Sequence, residues 1–318
     1  MSLIDEIRHG NRRVLARAIS IVEEGGEEGR QLIKEAFPHS GHAFVVGVTG
    51  APGAGKSTLV GALTGHCRGQ GLTVGVVAVD PTSPFTGGAL LGDRLRMQEH
   101  ALDAGVFIRS LATRGSLGGL SRATGDVVCL LDVAGFDVIF VETVGAGQAE
   151  VDIMRYAHTT LVLVTPGMGD EVQVFKAGIM EIGDVFAVNK ADQEGADRLA
   201  RELEAMLDLA GPRAWRPPVV LTVAREGTGV AELWQALVGH RDFARRSGLW
   251  EEKLRARAEA EVRGILTARL LDEAWRRGGE RGLLPRLLEE VAGRRVDPYT
   301  AAAMLADGLR GADHGGPV

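Results

Sequence analysis

One stretch decides the fold of this chain: Gly50-Ala51-Pro52-Gly53-Ala54-Gly55-Lys56-Ser57. It fits the pattern G-x-x-x-x-G-K-[ST] without a mismatch, and it follows the apolar run 43–48, which predicts a buried strand. The glycines let successive backbone N–H groups turn toward a β-phosphate, Lys56 supplies a positive charge to the β- and γ-oxygens, and Ser57 offers a hydroxyl to magnesium. Thr58 then begins a predicted helix whose dipole favours the anion. The stretch therefore predicts a nucleoside triphosphate site.

A second motif, further along the chain, predicts which base is bound. Asn189-Lys190-Ala191-Asp192 directly follows the apolar run 184–188 and matches the N-K-x-D guanine signature. The carboxylate of Asp192 can accept both guanine N–H groups, whereas adenine presents no matching pair of donors. Ala224, at the end of the run 219–223, is a second candidate for contact with the guanine carbonyl. The sequence therefore predicts GTP and GDP as ligands.

Short apolar runs alternate with helical stretches from residue 43 to about 240, which predicts an α/β P-loop NTPase fold with a doubly wound, mostly parallel sheet. The predicted strands are 43–48, 73–79, 106–110, 137–141, 160–165, 184–188 and 219–223. Helical spacing precedes and follows this region. We therefore expect a helical N-terminal extension over 1–40, a P-loop GTPase domain over 41–243 and a helical C-terminal arm over 244–318.

The C-terminal arm is apolar on one face and charged on the other. Such a stripe either completes the domain by packing on the sheet or is buried against a second subunit, and amphipathic spacing alone does not name the covered surface. The length of the arm and its position outside the sheet favour a homodimer. Within the arm, Asp297 before Pro298 predicts the start of a helix.

Composition restricts the class of partner. The chain has 318 residues, of which 45% are hydrophobic and 25% charged, and its net charge of −6 disfavours nucleic acid or an acidic membrane surface. No apolar run reaches the length of a membrane span, and Met1–Gly10 carries charges where a signal peptide needs an apolar segment. Cys67 and Cys129 lie far apart, which disfavours a disulfide framework or a cysteine zinc site. We expect a cytoplasmic protein that binds neither nucleic acid nor membrane.

Several further segments occur in a characteristic order. Glu142 occupies the position where most small GTPases carry the aspartate of D-x-x-G. The segments are 79–84, 87–94, 141–148, 166–171 and 189–192. Together they closely resemble the MeaB/ArgK family, the GTPases associated with methylmalonyl-CoA mutase. The resemblance runs from about Arg12 to the stretch Asp297-Pro298-Tyr299-Thr300 and so covers most of the chain.

The resemblance implies a magnesium site and a set of catalytic residues. The residues expected around Mg²⁺, directly or through water, are Ser57, Asp80, Asp93 and Glu142. Oxygen donors of this kind are the ligands that Mg²⁺ prefers. Lys56, Asp93 and Glu142 are the expected catalytic residues, with Lys56 neutralising charge on the phosphates. Gly145 and Gln148 belong to a switch, but no glutamine directly follows Gly145 as it does in Ras-like proteins. We expect slow intrinsic GTP hydrolysis that a partner stimulates.

The resemblance also implies the partner. Family members act as chaperones of an adenosylcobalamin-dependent acyl-CoA mutase, coupling GTP binding and hydrolysis to cofactor loading or protection. The segment 169–178 matches the family's additional switch loop, although it departs from the common Q-G-I-K-K-G by losing a glycine and a lysine. Asp170 and Lys176 are the residues expected to couple nucleotide state to the mutase. No cobalamin signature is present, so we expect no tight direct contact with the cofactor.

Three alternatives remain open at this stage. A GTPase metallochaperone for another metalloenzyme shares the general fold and the phosphate loop. A transport-associated kinase would pass phosphate to a protein rather than to water, although Asn189 and Asp192 favour guanine over ATP. A binding switch with incidental hydrolysis is the third. The sequence does not say which mutase is served.

Overall fold

A computed structural model describes residues 2–80, 100, 102–112, 117–143, 156–167, 181–209, 211 and 213–310 of the chain, with the side chains of 80, 112, 117–121, 309 and 310 excepted. The chain forms two compact units, Met1–Leu254 and Arg255–Val318. The predicted boundary between 243 and 244 falls inside a helix of the first unit, Val230–Ser247. The first unit also includes the predicted N-terminal extension. The predicted domain limits at 40/41 and 243/244 stay predictions.

All seven apolar runs form strands, and these strands make one sheet in the order β3-β2-β4-β1-β5-β6-β7. Their bounds are β1 Phe44–Gly50, β2 Val74–Asp80, β3 Val106–Ala112, β4 Val138–Thr143, β5 Thr159–Val164, β6 Val185–Asn189 and β7 Val219–Thr222. Every described pair is parallel. Strands β1, β4, β5 and β6 are buried along their whole length, which explains their continuous apolar runs. The predicted α/β P-loop fold is confirmed.

Strand β1 lies at the centre, between β4 and β5, where the direction of strand order reverses. Ligands of open α/β sheets bind in the crevice at the carboxyl ends of the strands at such a point. The residues Ala51–Gly55 leave β1 at this end of the sheet. The topology therefore places the phosphate-binding motif in the crevice.

Helices cover both faces of the sheet in the first unit. Their bounds are α1 Leu3–Arg8, α2 Arg12–Glu24, α3 Gly26–Ala36, α4 Lys56–Gly69, α5 Leu117–Val133, α6 Ala196–Leu209 and α7 Val230–Ser247, with a 3₁₀ turn at Phe37–His39. One apolar core joins α1, α2, α3 and α5 to the sheet, and a second joins α4 and α7 to its other face. The N-terminal helices are thus part of the layer that covers the sheet.

Polar contacts fasten helix α2 to the edge strand β3. The Arg109 guanidinium donates to both carboxylate oxygens of Glu23, and its Nη2 also donates to Ser20 Oγ at 3.2 Å. Arg12 Nη1 donates to Val106 O at 2.7 Å. Because an unpaired edge strand exposes its backbone groups, these contacts also cover part of that edge.

A buried polar cluster lies at the opposite end of the sheet from the phosphate loop. Asp184 Oδ2 accepts from Lys253 Nζ at 2.8 Å and from Thr160 N at 2.9 Å. His240 Nε2 lies 3.2 Å from Asp184 Oδ1, outside hydrogen-bond geometry, and its Nδ1 is 2.8 Å from Thr159 Oγ1. Burial raises the pKa of Asp184, but His240 and the Lys253 ammonium outweigh it, so the net pKa is lowered. Asp184 is therefore charged in the folded protein.

Asp184→Asn is expected to destabilise the protein by about 3 kcal/mol near neutral pH, because Lys253 loses a partly buried counter-ion. The lowered pKa gives stability that is present above the unfolded-state pKa, about 4, and is lost as pH falls through the folded-state value. Urea unfolding at several pH values measures this. The difference from the wild type should shrink below about pH 4. Asp242→Asn, at a half-exposed aspartate, is the control. An equal loss in both variants would contradict the prediction.

The helix α8, Leu249–Glu280, crosses the boundary between the units, and the second unit continues with α9, Leu283–Ala292, and α10, Pro298–Arg310. The core of the second unit is small and contains Leu287, Ala301 and Leu305. Asp297 caps α10 as predicted, since Thr300 N donates to Asp297 Oδ1 at 3.0 Å. Among the described residues, no helix combines the length and the apolar character needed to cross a bilayer.

Candidate functional site

The phosphate loop joins β1 to α4, and its shape depends on glycine at two positions. Gly55 has φ +92°, and a Cβ there would lie 2.5 Å from Asn189 Nδ2. Gly50 has φ +151°, and a Cβ there would lie 2.4 Å from Leu163 O. Any other residue would be strained at both positions. Helix α4 begins at Lys56, before the predicted Thr58, so Lys56, Ser57 and Thr58 all belong to its first turn. Pro52, Gly53 and Ala54 lie in the loop.

Lys56 is buried at the mouth of this loop. Its Nζ donates to Gly50 O at 2.5 Å and to Ala51 O at 3.2 Å. An ammonium carries three donors, and these carbonyls hold it over the loop instead of letting it extend into solvent. The arrangement presents a positive charge beside the N-terminus of α4, which itself favours anions.

Ser57 and Glu142 form a buried oxygen pair next to Lys56. Ser57 Oγ donates to Glu142 Oε1 at 2.6 Å, and both residues are less than a tenth exposed. Parallel pairing sets Glu142 of β4 opposite Val48 of β1 on one side and opposite Ala78 of β2 on the other side. Asp80 is the last residue of β2, and its side chain lies outside the described part of the chain. A hydroxyl and a carboxylate in contact are a donor set that suits Mg²⁺.

Asn189 ties the phosphate loop to the base-recognition loops. Its Nδ2 donates to Ala54 O at 2.8 Å, and its Oδ1 accepts from Ala224 N at 3.1 Å and from Thr222 Oγ1 at 3.2 Å. Asn189 is buried, so each of these bonds would be costly to lose. The N-K-x-D motif predicted a role for Asn189 in guanine recognition. In the structure its side chain links the end of β6 to the phosphate loop and to the end of β7. Thr222 was not predicted, because a threonine at a strand end carries no distinctive pattern.

A cavity of about 260 Å³ opens beside Asn189. It is lined by Gly55, Thr58, Asn189, Lys190, Asp192, Gln193, Val223, Ala224 and Arg225. The predicted base-contact residues Asn189, Lys190, Asp192 and Ala224 are thus brought to one pocket. Lys190 has φ +58°, an uncommon left-handed conformation for a side chain of this kind. Gln193 directly follows the N-K-x-D motif and Arg225 directly follows Ala224, but neither was predicted to line the pocket. The pairing of β6 with β7 brings their two loops together.

The remaining predicted site residues lie outside the described residues: Asp93, Gly145, Gln148, Asp170 and Lys176. Their roles stay predictions. What the described residues bring together is a glycine-rich anion loop, a buried lysine, an oxygen pair and a polar pocket with a carboxylate at Asp192. These are the parts needed to hold a triphosphate, a magnesium ion and a base.

Comparison with known proteins agrees with this arrangement. Residues 15–278 match the family described as methylmalonyl-CoA mutase-associated GTPase MeaB. A relative from Pyrococcus abyssi, whose name also describes a GTPase, is 51% identical over 307 residues, covering 95% of this chain and 94% of the relative. The mitochondrial methylmalonic aciduria type A homolog of mouse is 32% identical over 315 residues, covering 93% and 76%.

A solved structure described as LAO/AO transport system kinase has the same fold. It superposes with a TM-score of 0.72 at 27% sequence identity and covers 97% of this chain and 96% of its own. The family match, the similarity to named GTPases and the P-loop fold make this protein a GTPase. The chain belongs to the MeaB family of methylmalonyl-CoA mutase-associated GTPases.

Proposed function

We propose that this GTPase is a chaperone that gates adenosylcobalamin loading or protection of an acyl-CoA mutase such as methylmalonyl-CoA mutase. The family description, which names association with that mutase, carries the proposal. The mouse relative is named for methylmalonic aciduria, and its similarity over most of the chain supports the same assignment. In this role the protein is a switch, and GTP binding and hydrolysis set its state.

For the nucleotide, we assign the triphosphate to the loop Gly50–Gly55 and to Lys56, and the base to the pocket of Asp192. Lys56 would exchange its bonds to Gly50 O and Ala51 O for bonds to phosphate oxygens. Hydrolysis transfers the γ-phosphoryl group to water, breaking the bond to the β-γ bridging oxygen and releasing GDP and phosphate. Lys56 neutralises charge that develops on those oxygens.

For the metal, we assign Ser57 and Glu142, with Asp80 and Asp93 joining them directly or through water. The contact of Ser57 Oγ with Glu142 Oε1, at 2.6 Å in a buried site, supports this assignment. When bound, Mg²⁺ supplies charge neutralisation at the β- and γ-phosphates. Ser57 and Glu142 belong to two different elements, and both place an oxygen near the phosphate loop. Substitution of either residue should therefore weaken metal-dependent hydrolysis and leave the base pocket intact.

We propose that intrinsic hydrolysis is slow and that the mutase stimulates it. Ala146, not glutamine, directly follows Gly145. The position that orients the attacking water in Ras-like proteins therefore lacks its amide. In one class of GTPases a partner protein supplies a missing catalytic residue in trans. Gln148 and the coupling residues Asp170 and Lys176 are the candidates for passing the effect of the bound mutase to the hydrolytic site.

The test is GTP hydrolysis by the purified chain with Mg²⁺, alone and with an adenosylcobalamin-dependent acyl-CoA mutase. We expect the mutase to raise the rate at least about tenfold, since completion in trans is worth far more in other GTPases. Lys176→Ala should lose most of that stimulation while keeping the basal rate. Lys34→Ala, at an exposed lysine of α3, is the matched control. Equal stimulation of both variants would reject the coupling role of Lys176, and no stimulation by any mutase would reject the chaperone.

We also propose a homodimer formed through the arm. Large apolar side chains on α8 are at least two-fifths exposed at spacings of three and four residues: Val262, Ile265, Leu266, Leu270, Leu271 and Trp275. A stripe of this size is typical of a helix that packs on a partner. Light scattering on the full chain at micromolar concentration tests the proposal, and a monomeric mass would contradict it.

A second candidate follows from the name of the related solved structure, a transport system kinase. In that case the γ-phosphate would pass to a protein side chain instead of to water. Incubation with γ-labelled GTP distinguishes the two, since label retained on protein supports the kinase and release of all label as free phosphate supports the GTPase switch. A metallochaperone remains the alternative if no mutase responds.

A further inference from the structure

Arg225 lies at the rim of the base pocket, beside the carboxylate that we assign to guanine recognition. Its Nη2 is 3.6 Å from Asp192 Oδ2. The Arg225 side chain is 75% exposed, and that of Asp192 is 36% exposed. Within the described ranges of the chain, Arg225 is the cation that pairs with this carboxylate. In the proposed assignment, the ion pair therefore involves the same carboxylate that the edge of a bound base would contact.

The backbone beneath this ion pair is held together. Ala191, the residue before Asp192, donates its N–H to Thr222 O at 3.0 Å. Strand β7 ends at Thr222, and the chain leads from there directly through Ala224 into Arg225. The loops that carry Asp192 and Arg225 follow β6 and β7, which are paired, so their backbones are held in place. Rotation of the long, exposed arginine side chain is therefore the simplest way to separate the Arg225 guanidinium from the Asp192 carboxylate.

Guanine and arginine offer a carboxylate the same chemical group. In guanine, C2 and its three nitrogens N1, N2 and N3 form a guanidine unit whose N–H donors at N1 and N2 lie side by side. The arginine side chain ends in a planar guanidinium with the same fork of donors. A carboxylate accepts such a fork through its two oxygens. The observed contact of 3.6 Å between Arg225 Nη2 and Asp192 Oδ2 is an ion pair without such a pair of hydrogen bonds, so Arg225 competes with a base through its charge and its position at the carboxylate.

We propose that Arg225 is an internal competitor for the guanine site. Its guanidinium occupies Asp192 in the nucleotide-free protein and rotates away when the base binds. The inference rests on the proposed assignment of Asp192 to guanine and goes beyond it, because it makes Arg225 a residue that sets nucleotide affinity. Arg225 thereby favours the empty state without touching the phosphate loop.

The expected size of the effect follows from the exposure of the pair. An exposed ion pair forms part of the time, so it removes only a fraction of the binding-competent sites. This corresponds to an apparent GDP affinity that is lower by about two- to sixfold than the affinity of a site with a free carboxylate. Salt screens exposed pairs, so the effect should shrink as ionic strength rises.

Arg225→Gln tests the proposal by titration of GDP at low ionic strength. We expect GDP to bind about two- to sixfold more tightly than to the wild type, and the gain to shrink in about 1 M NaCl. Arg216→Gln is the matched control, because Arg216 is an exposed arginine paired with Asp208 and its loss changes net charge equally. Weaker binding by Arg225→Gln, or an equal gain in Arg216→Gln, would overturn the proposal.

A second measurement separates this inference from the assignment on which it rests. In an Asp192→Asn background the carboxylate is absent, so adding Arg225→Gln should leave the affinity for xanthosine diphosphate unchanged. If Asp192→Asn does not alter the choice of base, the guanine assignment and the competitor role both fail. If the base choice changes but Arg225→Gln has no effect on GDP binding by the protein with Asp192, only the competitor role fails.

Discussion

Asp192→Asn should change the nucleotide preference of this GTPase from guanine to xanthine. In the proposed assignment the carboxylate accepts both N–H groups of the guanine edge, whereas an asparagine amide would turn one acceptor into a donor that faces the guanine amino group. Loss of charged hydrogen bonds and the new donor–donor contact together predict a fall in GDP affinity of about 10²- to 10⁴-fold. Xanthine carries a carbonyl oxygen at C2, where guanine carries the amino group, and this oxygen can accept from the asparagine amide. Xanthine nucleotides should therefore bind the variant nearly as tightly as guanine nucleotides bind the wild type.

Competitive titration of GDP, XDP and ADP against the wild type and the variant measures this change. Asp208→Asn, at an exposed aspartate outside the pocket, provides the matched control for loss of one negative charge. We expect the control to keep its preference for GDP. An Asp192→Asn protein that is folded, binds no XDP and still binds GDP like the wild type would show that the pocket beside Asp192 does not hold the base.

Lys56→Met should reduce GTP hydrolysis by about 10³-fold. Methionine keeps much of the length of the side chain but removes the charge to which we assign neutralisation of the phosphates in the transition state, and loss of one such stabilising group costs about 10²- to 10³-fold. The donated bonds to Gly50 O and Ala51 O are lost as well, so the loop itself should become less well held. GTP affinity is expected to fall together with the rate.

Single-turnover hydrolysis at saturating GTP separates the effect on the chemical step from the effect on binding. Lys34→Met, at a lysine that is two-thirds exposed on α3, is the control and should hydrolyse GTP at the wild-type rate. Thermal unfolding of Lys56→Met should show a folded protein, since this side chain belongs to neither of the two large apolar clusters that pack on the sheet. A folded variant with near-normal single-turnover rates would remove Lys56 from the catalytic set.

Local sequence was sufficient for the strands and for the conformation of the glycine-rich loop. Parallel strands that are buried on both faces appear as continuous apolar runs, as β1, β4, β5 and β6 do. The less buried β7 was still recognisable from its own apolar residues, without any knowledge of its partner. The phosphate loop is contiguous, and its glycines report backbone conformations that other residues avoid. The cap at Asp297 is equally local, since donor and acceptor lie three residues apart.

For the C-terminal arm, the local sequence pattern predicts helices but not the surface on which they pack. Helical spacing predicted a helical arm, which forms α8, α9 and α10, but the same spacing suits a helix that packs on its own sheet and one that packs on another subunit. The boundary between the units lies within α8, after Leu254, where the helical pattern continues without interruption. No local signal marks a boundary inside a continuous helix.

The amino-acid sequence by itself determined the class of fold, the phosphate loop and the choice of guanine, because each depends on residues that are close together in the chain. Tertiary structure alone decided which distant groups meet. Ser57 contacts Glu142 because β1 and β4 are neighbours, and Asn189 joins Ala54 to Ala224 because β6 and β7 end beside the loop. Arg225 reaches Asp192 for the same reason. Such contacts depend on strand order, which apolar runs do not encode.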